Sequence, residues 1–142
     1  MAGSAFWRQA TLAFAAGALG GLALFVFLWI IGTIGILQAM GINGAVNVTK
    51  GYLYNRIVWG GIWGFTFLVP WKQSWWVRGL LFGVAPSIVQ LVVVFPLTTA
   101  AGMFGLGLGA LTPLLVLVNQ SVWGLATAWW LEFVGARTTA AA

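Results

Sequence analysis

The chain has 142 residues, of which 62% are hydrophobic and only 5% are charged. Soluble domains carry about 25% charged residues, so this composition excludes an ordinary water-soluble fold and indicates an integral membrane protein. The chain also has no His, no Cys and a single carboxylate, Glu132. Enzymes draw most of their acids, bases, nucleophiles and metal ligands from these residue types. We therefore expect no enzyme activity, no metal and no cofactor.

The basic residues are too dispersed for a nucleic-acid-binding surface. Six Lys and Arg residues give a formal net charge of +5, whereas binding to nucleic acid requires such residues in a cluster. We interpret them as charges that flank membrane helices, with the lipid bilayer rather than nucleic acid as the surroundings. These residues are Arg8, Lys50, Arg56, Lys72, Arg78 and Arg137.

Four stretches have the length and apolar character of membrane-spanning helices, which need about 20 residues. In chain order, they cover residues 10–37, 48–71, 75–97 and 106–133. Pro86 and Pro113 fall inside the third and fourth stretches, where we expect kinks rather than helix ends. The predicted fold is an all-α integral membrane protein, a single domain over residues 1–142, with four transmembrane helices packed as a compact bundle with short loops.

The distribution of positive charge predicts the orientation, because Lys and Arg are enriched on the cytoplasmic side of membranes. With four spans, one side holds four basic residues and the other side holds two at most. The richer side also contains both termini, which we therefore expect in the cytoplasm. Its basic residues are Arg8, Lys72, Arg78 and Arg137, against Lys50 and Arg56 opposite.

Pairs of glycines four residues apart predict where the helices pack. Lipid gives helices no hydrophobic reason to associate, so close backbone approach at small residues is a common solution. The four pairs are Gly17 and Gly21, Gly60 and Gly64, Gly79 and Gly83, and Gly105 and Gly109 at the entrance to the fourth helix. We expect each pair to lie at a helix interface.

Uncharged polar residues are expected at similar depth near the middle of the third and fourth helices. They are Ser87, Gln90, Asn119 and Gln120. We expect Gln90 to form a hydrogen bond with Asn119 or Gln120, with a gain of roughly 0.6 to 2 kcal/mol. The alternative interpretation is a polar patch that lines a substrate path.

Arg56 has two interpretations that the sequence leaves open. If the second helix spans from about residue 48, Arg56 lies near its centre and marks a ligand or partner site with Trp59 and Trp63. Its partner would then be an anion, a lipid headgroup or a carboxylate of another subunit. If the helix begins later, Arg56 lies at the outer interface.

Two runs, YNRIVWGGIWGFTFLVPW over residues 54–71 and RGLLFGVAPSIVQ over residues 78–90, resemble small uncharacterised bacterial inner-membrane proteins. The resemblance implies a bacterial source and no particular activity. The predicted location is accordingly a multi-pass position in the bacterial inner membrane.

Three classes of function agree with these features. The first is an accessory or structural subunit of a larger membrane complex, without catalytic chemistry. The second is a small oligomeric transporter or channel, and the third is a binder of an apolar ligand such as a lipid, quinone or carotenoid. The expected protein partners are other membrane subunits, or further copies of this chain in a homo-oligomer.

Overall fold

The computed structural model describes residues 2–42 and 49–135, and all regular elements in this part of the chain are helical. A 3-10 turn at Phe65–Leu68 extends the third helix, and a π-helical turn at Gln90–Val94 joins the fourth helix to the fifth. A second 3-10 turn, Met103–Gly105, lies in the hairpin before the last helix. The α-helices are α1 (Ala2–Thr33), α2 (Ile36–Ala39), α3 (Lys50–Gly64), α4 (Trp75–Val89), α5 (Phe95–Thr98) and α6 (Thr112–Phe133).

Three helices are long and apolar enough to cross a membrane: Ala2–Thr33, Trp75–Thr98 and Thr112–Phe133. The helical membrane character expected from the composition is therefore present. The 15 residues of α3 extend only about 22 Å, less than the roughly 30 Å of a bilayer core. Consequently α3 is not among these three helices, although it lies within the second predicted span.

The first helix is shifted toward the N-terminus relative to the predicted range of 10–37. It begins at Ala2. The predicted range covered only the uncharged apolar residues, whereas helical hydrogen bonds also form outside the apolar stretch. It ends at Thr33, and Gly35 at φ 87° separates it from α2. A positive φ is easily adopted by glycine and interrupts a helix.

The second predicted helix, 48–71, is shorter in the structure, where it ends at Gly64 and continues as a 3-10 turn only to Leu68, whereas the third agrees closely. α3 begins at Lys50, where the Thr49 hydroxyl caps the helix by accepting a hydrogen bond from the Tyr52 amide at 3.2 Å. Val48, the predicted start, lies outside the described residues, as does Arg137. The third helix runs over Trp75–Thr98, within one residue of its prediction, and continues through Pro86.

The fourth predicted helix, 106–133, begins six residues late, at Thr112. Gly105 and Gly109 have φ values of 67° and 155°, which are incompatible with a right-handed helix. Pro113 therefore lies in the first turn of α6 and not inside the helix, where a kink was predicted; at this position its missing N–H costs no hydrogen bond. The two glycines thus shape the hairpin and do not form a stripe on a fourth helix as predicted. Gly105 still packs against Phe95 of α5 and Thr112 of α6.

The described helices pack in series, in the order α3, α1, α6, α4. α1 lies between α3 and α6, and α6 lies between α1 and α4. The 3-10 turn after α3 also contacts α1. Its Phe67 ring packs against Phe82 of α4 and Trp123 of α6, with ring centroids 4.8 and 6.0 Å apart. α3 and α4 therefore lie at the ends of the series rather than closing a compact ring.

The glycine pairs of α1 and α3 bring the two backbones into direct contact. A Cβ atom built on Gly60 would lie 2.6 Å from the carbonyl oxygen of Gly17, and one on Gly17 or Gly64 would overlap the opposite backbone as well. Gly21 similarly packs against the carbonyl of Arg56. The sequence numbers rise along α1 as they fall along α3, so the two helices are antiparallel.

Gly79 and Gly83 lie at the α4–α6 interface, as predicted. Gly124 of α6, which packs against Gly79, was not predicted there. A Cβ atom on Gly79 would lie 2.8 Å from the carbonyl oxygen of Gly124, and one on Gly83 would lie 2.7 Å from that of Gln120. Gly124 has no glycine four residues away in either direction. A search for pairs of glycines therefore missed it, although Ala128 completes a small-residue pair at this spacing.

Candidate functional site

The depth of Arg56 follows from its contact with α1. Its backbone carbonyl lies against Gly21, and α1 contains no charged residue between Arg8 and its end at Thr33. At about 1.5 Å per residue, Gly21 lies roughly 20 Å from Arg8 and roughly 18 Å from Thr33. Arg56 is therefore level with the middle of the apolar part of α1, which favours the buried interpretation over the interfacial one.

The Arg56 side chain runs back toward the start of α3. Its Cζ atom lies 4.7 Å from the centroid of the Tyr52 ring, in a cation–π contact. Side chains on an α-helix point toward its N-terminus, so Arg56 covers the residue four positions before it. The predicted contacts with Trp59 and Trp63, which follow Arg56 in the chain, are absent for the same reason. The missed signal was the aromatic residue at i−4.

The charge on Arg56 is incompletely satisfied within the described chain. The Nε atom is buried without a hydrogen-bond partner, and Tyr52 gives the guanidinium only a π face. An arginine near the bilayer centre costs about 2.5 kcal/mol or more unless water or a partner reaches it. The contact with the Tyr52 ring offsets part of such a cost, by about 0.5–2 kcal/mol.

Trp59 and Trp63, the two other candidates at this site, lie in different surroundings. Trp59 is 54% exposed and points away from the other helices. Trp63 is partly buried and packs against the hydrophobic core, so it contributes to the fold. The structure therefore places the three predicted residues in different surroundings. Arg56 lies on the flank of α3, Trp59 on its exposed side and Trp63 against the hydrophobic core.

One side of α3 faces away from α1, and we call it the α3 outer face. All five of its side chains are exposed, and two of them, the Tyr54 phenol and the Asn55 amide, are polar. Because Asn55 directly precedes Arg56, the polar part of this face lies at the same depth as the arginine. Its residues are Tyr54, Asn55, Val58, Trp59 and Ile62.

The polar residues of α4 and α6 form a second candidate site at the middle of their interface. Gln120 Nε2 donates a hydrogen bond to Gln90 Oε1 at 2.8 Å, which is one of the two amide pairings expected from their depth. Ser87 donates its hydroxyl to the Gly83 carbonyl at 2.7 Å. Asn119 is 3% exposed, and its Oδ1 has no hydrogen-bond partner.

Hydrogen bonds occupy part of this midplane polar cluster. Gln120 Nε2 and Gln90 Oε1 are paired, and Ser87 donates to a backbone carbonyl of its own helix. Gln90 is also the first residue of the π-helical turn at Gln90–Val94, in which backbone hydrogen bonds span five residues instead of four. These contacts favour the packing interpretation, whereas the buried Asn119 Oδ1, which has no hydrogen-bond partner, is a polar atom that a substrate path would use.

Arg78 has a structural role that the sequence did not indicate. Its position predicts a charge that flanks the third helix, yet it is 6% exposed. Its Nη2 atom donates hydrogen bonds to the carbonyls of Phe67 at 3.0 Å and Val69 at 3.5 Å. The guanidinium also lies near the rings of Phe67 and Phe82. Arg78 therefore fastens the turn after α3 to the start of α4.

Comparison with protein-family models, with curated proteins and with solved structures finds no match to this chain in any of the three.

Proposed function

We propose that this chain is a non-catalytic accessory subunit of a larger membrane complex, and that the α3 outer face is where a transmembrane helix of another subunit docks. The observation that carries this proposal is the position of α3 at the end of the helix series. Among the described helices α3 packs extensively only against α1. Its opposite side is left without a protein neighbour from the described chain.

The composition of the α3 outer face supports a protein neighbour rather than lipid. Hydrocarbon chains offer no hydrogen bonds, and a polar group that faces them loses the partners it has in water. Asn55 and Tyr54 are both exposed on this face, level with the middle of α1. A helix from another subunit would supply hydrogen bonds to both, as polar side chains commonly do between membrane helices.

The proposal includes four membrane segments, with α3 as a fourth, shorter one antiparallel to α1. It places the protein in a bacterial inner membrane with both termini in the cytoplasm. The position of the last residue of α3 supports this orientation. Gly64 packs against Ala13, so the turn that contains Lys72 lies toward the end of the molecule that holds Arg8. Positive charges thereby gather on one side, as expected for the cytoplasmic side.

Single cysteines test this threading, since the chain has none of its own. Ala5→Cys, Gln73→Cys and Met103→Cys each place a thiol at an exposed position. In intact cells a membrane-impermeant maleimide should label only Met103→Cys, whereas lysed cells should give labelling of all three. If Ala5→Cys and Gln73→Cys react from opposite sides, α3 does not cross and the fourth segment is excluded.

Photo-crosslinking in the native membrane tests the docking surface. A photoreactive amino acid at Val58 lies on the α3 outer face, and one at Val84 of α4 is the matched control, because both valines are exposed and helical. We expect a crosslinked product of one discrete mass, containing a different chain, from Val58 and not from Val84.

The other crosslinking outcomes contradict the proposal. Equal products from Val58 and Val84 would indicate random collisions in the bilayer. A product that contains only two copies of this chain would favour the homo-oligomeric transporter or channel. If neither position gives a protein product and the chain co-purifies with an apolar small molecule, the ligand-binding alternative is favoured.

A further inference from the structure

Arg56 is a charged residue of the described chain whose few contacts do not offset the cost of burying its charge. Its depth, at the level of Gly21, is set by backbone contact and not by the orientation of a flexible side chain. Its Nε is buried without a hydrogen-bond partner, and its described contact is the Tyr52 ring. A guanidinium has five N–H donors arranged to match a carboxylate or a phosphate.

We propose that Arg56 forms an ion pair, within the membrane, with an Asp or Glu carboxylate on the transmembrane helix of a different subunit. This inference rests on the proposed function, since it specifies the chemistry of a helix that docks on the α3 outer face and extends to the flank of α3 where Arg56 lies. The partner helix carries its carboxylate near the middle of its span. Asn55 and Tyr54, at the same depth, provide further hydrogen bonds to that helix.

The carboxylate does not come from this chain or from a second copy in the same orientation. Glu132, the only acidic residue, lies five residues beyond Thr127, which is itself level with Gly20. It is therefore about 8 Å or more nearer the start of α1, whereas the Arg56 side chain points toward the other end. A two-fold dimer through the α3 outer face would also set two Arg56 charges opposite each other, which is repulsive.

A lipid phosphate is the alternative anion for Arg56. Along α1, the level of Gly21 is roughly 18 Å from the helix end at Thr33. Along α3, Arg56 lies about 9 Å from Lys50, and its guanidinium reaches back over Tyr52 toward that end. The exposed Tyr54 and Asn55 side chains beside Arg56 favour a protein helix as the neighbour, and the phosphatidylglycerol vesicles described below test the lipid.

A designed transmembrane peptide can replace the natural subunit in a test of this pairing. The probe is a Leu-rich helix of about 23 residues with one central Asp, and the matched peptides carry Asn or Leu at that position. Each labelled peptide is reconstituted with the full chain in phosphatidylcholine vesicles, and association is measured by energy transfer. We expect the Asp peptide to bind at least about tenfold more tightly than the other two.

Variants of the chain assign that preference to Arg56. Arg56→Gln should abolish the difference between the Asp and Asn peptides, and Arg56→Lys should retain most of it because the charge remains. Arg8→Gln, which removes an exposed charge near the start of α1, should leave it unchanged. Circular dichroism shows whether each variant keeps its helical content, and Arg56→Lys carries the test if Arg56→Gln does not fold.

Three results would overturn the inference. The first is equal binding of the Asp and Asn peptides, and the second is an Asp preference that survives in Arg56→Gln. The third is loss of the Asp preference in phosphatidylglycerol vesicles together with Arg56-dependent binding of that lipid, which would make an anionic lipid the occupant. The Val58 crosslinking result is independent: a heteromeric product without any Asp preference preserves the docking surface and rejects only the ion pair.

Discussion

The indole Nε1 of Trp123 donates a hydrogen bond to the main-chain carbonyl of Gly17 at 3.1 Å, joining α6 to α1 across 106 positions of sequence. Gly17 is also a point of closest approach between α1 and α3. The absence of a side chain at Gly17 admits α3 at close range, while its carbonyl accepts from α6. One glycine thereby holds three consecutive helices of the series in register.

Replacing Trp123 by Phe should test this hydrogen bond while keeping most of the ring contact with Phe67. Trp123 is 1% exposed, so its N–H has no access to water as an alternative. We expect the free energy of unfolding in micelles to fall by about 0.5–2 kcal/mol, measured by far-ultraviolet circular dichroism during denaturant titration. Phe133, 69% exposed on the same helix, provides the control variant Phe133→Leu, which should change little. Unchanged stability in Trp123→Phe would show that the hydrogen bond contributes nothing.

A single added methyl group at Gly124 should disrupt the α4–α6 interface. A Cβ atom at this position would overlap the carbonyl oxygen of Gly79, and backbone cannot move aside as a flexible side chain can. We expect Gly124→Ala to lower the free energy of unfolding by about 1–3 kcal/mol. The same change at Gly3, where a Cβ meets no atom within 4 Å, is the control and should be neutral. Equal effects at Gly124 and Gly3 would mean that the two helices do not approach this closely.

A double-mutant cycle on Gln90 and Gln120 should show that the two amides act as a pair. Either single change to Leu removes one partner of the 2.8 Å hydrogen bond and leaves the other amide unsatisfied. The double variant leaves no amide behind at these positions. We expect a coupling energy of about 0.5–1.7 kcal/mol in the free energy of unfolding. Strictly additive single effects would contradict the pairing and would revive a polar path between α4 and α6.

Substitution of Arg78 should release the turn that follows α3. Its hydrogen bonds to the carbonyls of Phe67 and Val69 hold backbone that forms no regular helix beyond Leu68. We expect amide hydrogen exchange over residues 65–71 to accelerate by about tenfold or more in Arg78→Ala, which corresponds to roughly 1.4 kcal/mol. Arg78→Lys should restore exchange only partly, because a lysine ammonium lacks the planar array of donors. Arg8→Ala is the exposed control, and equal exchange in all variants would show that Arg78 does not hold the turn.

Several features of the fold were accessible from local sequence because they depend on composition and spacing. The long uncharged stretches produce the apolar helices α1 and α6, and the third helix ends within one residue of its prediction. The glycine pairs of α1, α3 and α4 lie at helix interfaces, since a four-residue spacing puts small residues on one helix face whatever the partner is. The depth of Gln90 and Gln120 likewise follows from their distance to the helix ends.

Other features depended on which segments meet in space, and these were missed or left open. Gly124 lies at an interface because Gly79 approaches it, and the spacing of Gly124 to Ala128 does not show which helix it meets. Arg78 and Arg56 are both arginines next to apolar runs, yet the turn after α3 supplies carbonyl partners to Arg78 only. The shift of the fourth helix to Thr112 follows from the backbone angles of the hairpin glycines.

The amino-acid sequence by itself determined that this is a helical protein of the membrane with almost no reactive groups, because composition and hydrophobic run length are properties of each segment alone. Only the tertiary structure decided that α3 lies at the end of the series and that Arg56 lies level with Gly21. That depth depends on the register between two antiparallel helices, and register is set by which backbone atoms touch. The contact between Gly21 and the Arg56 carbonyl fixes the position of Arg56 relative to α1, which its place in the sequence left open.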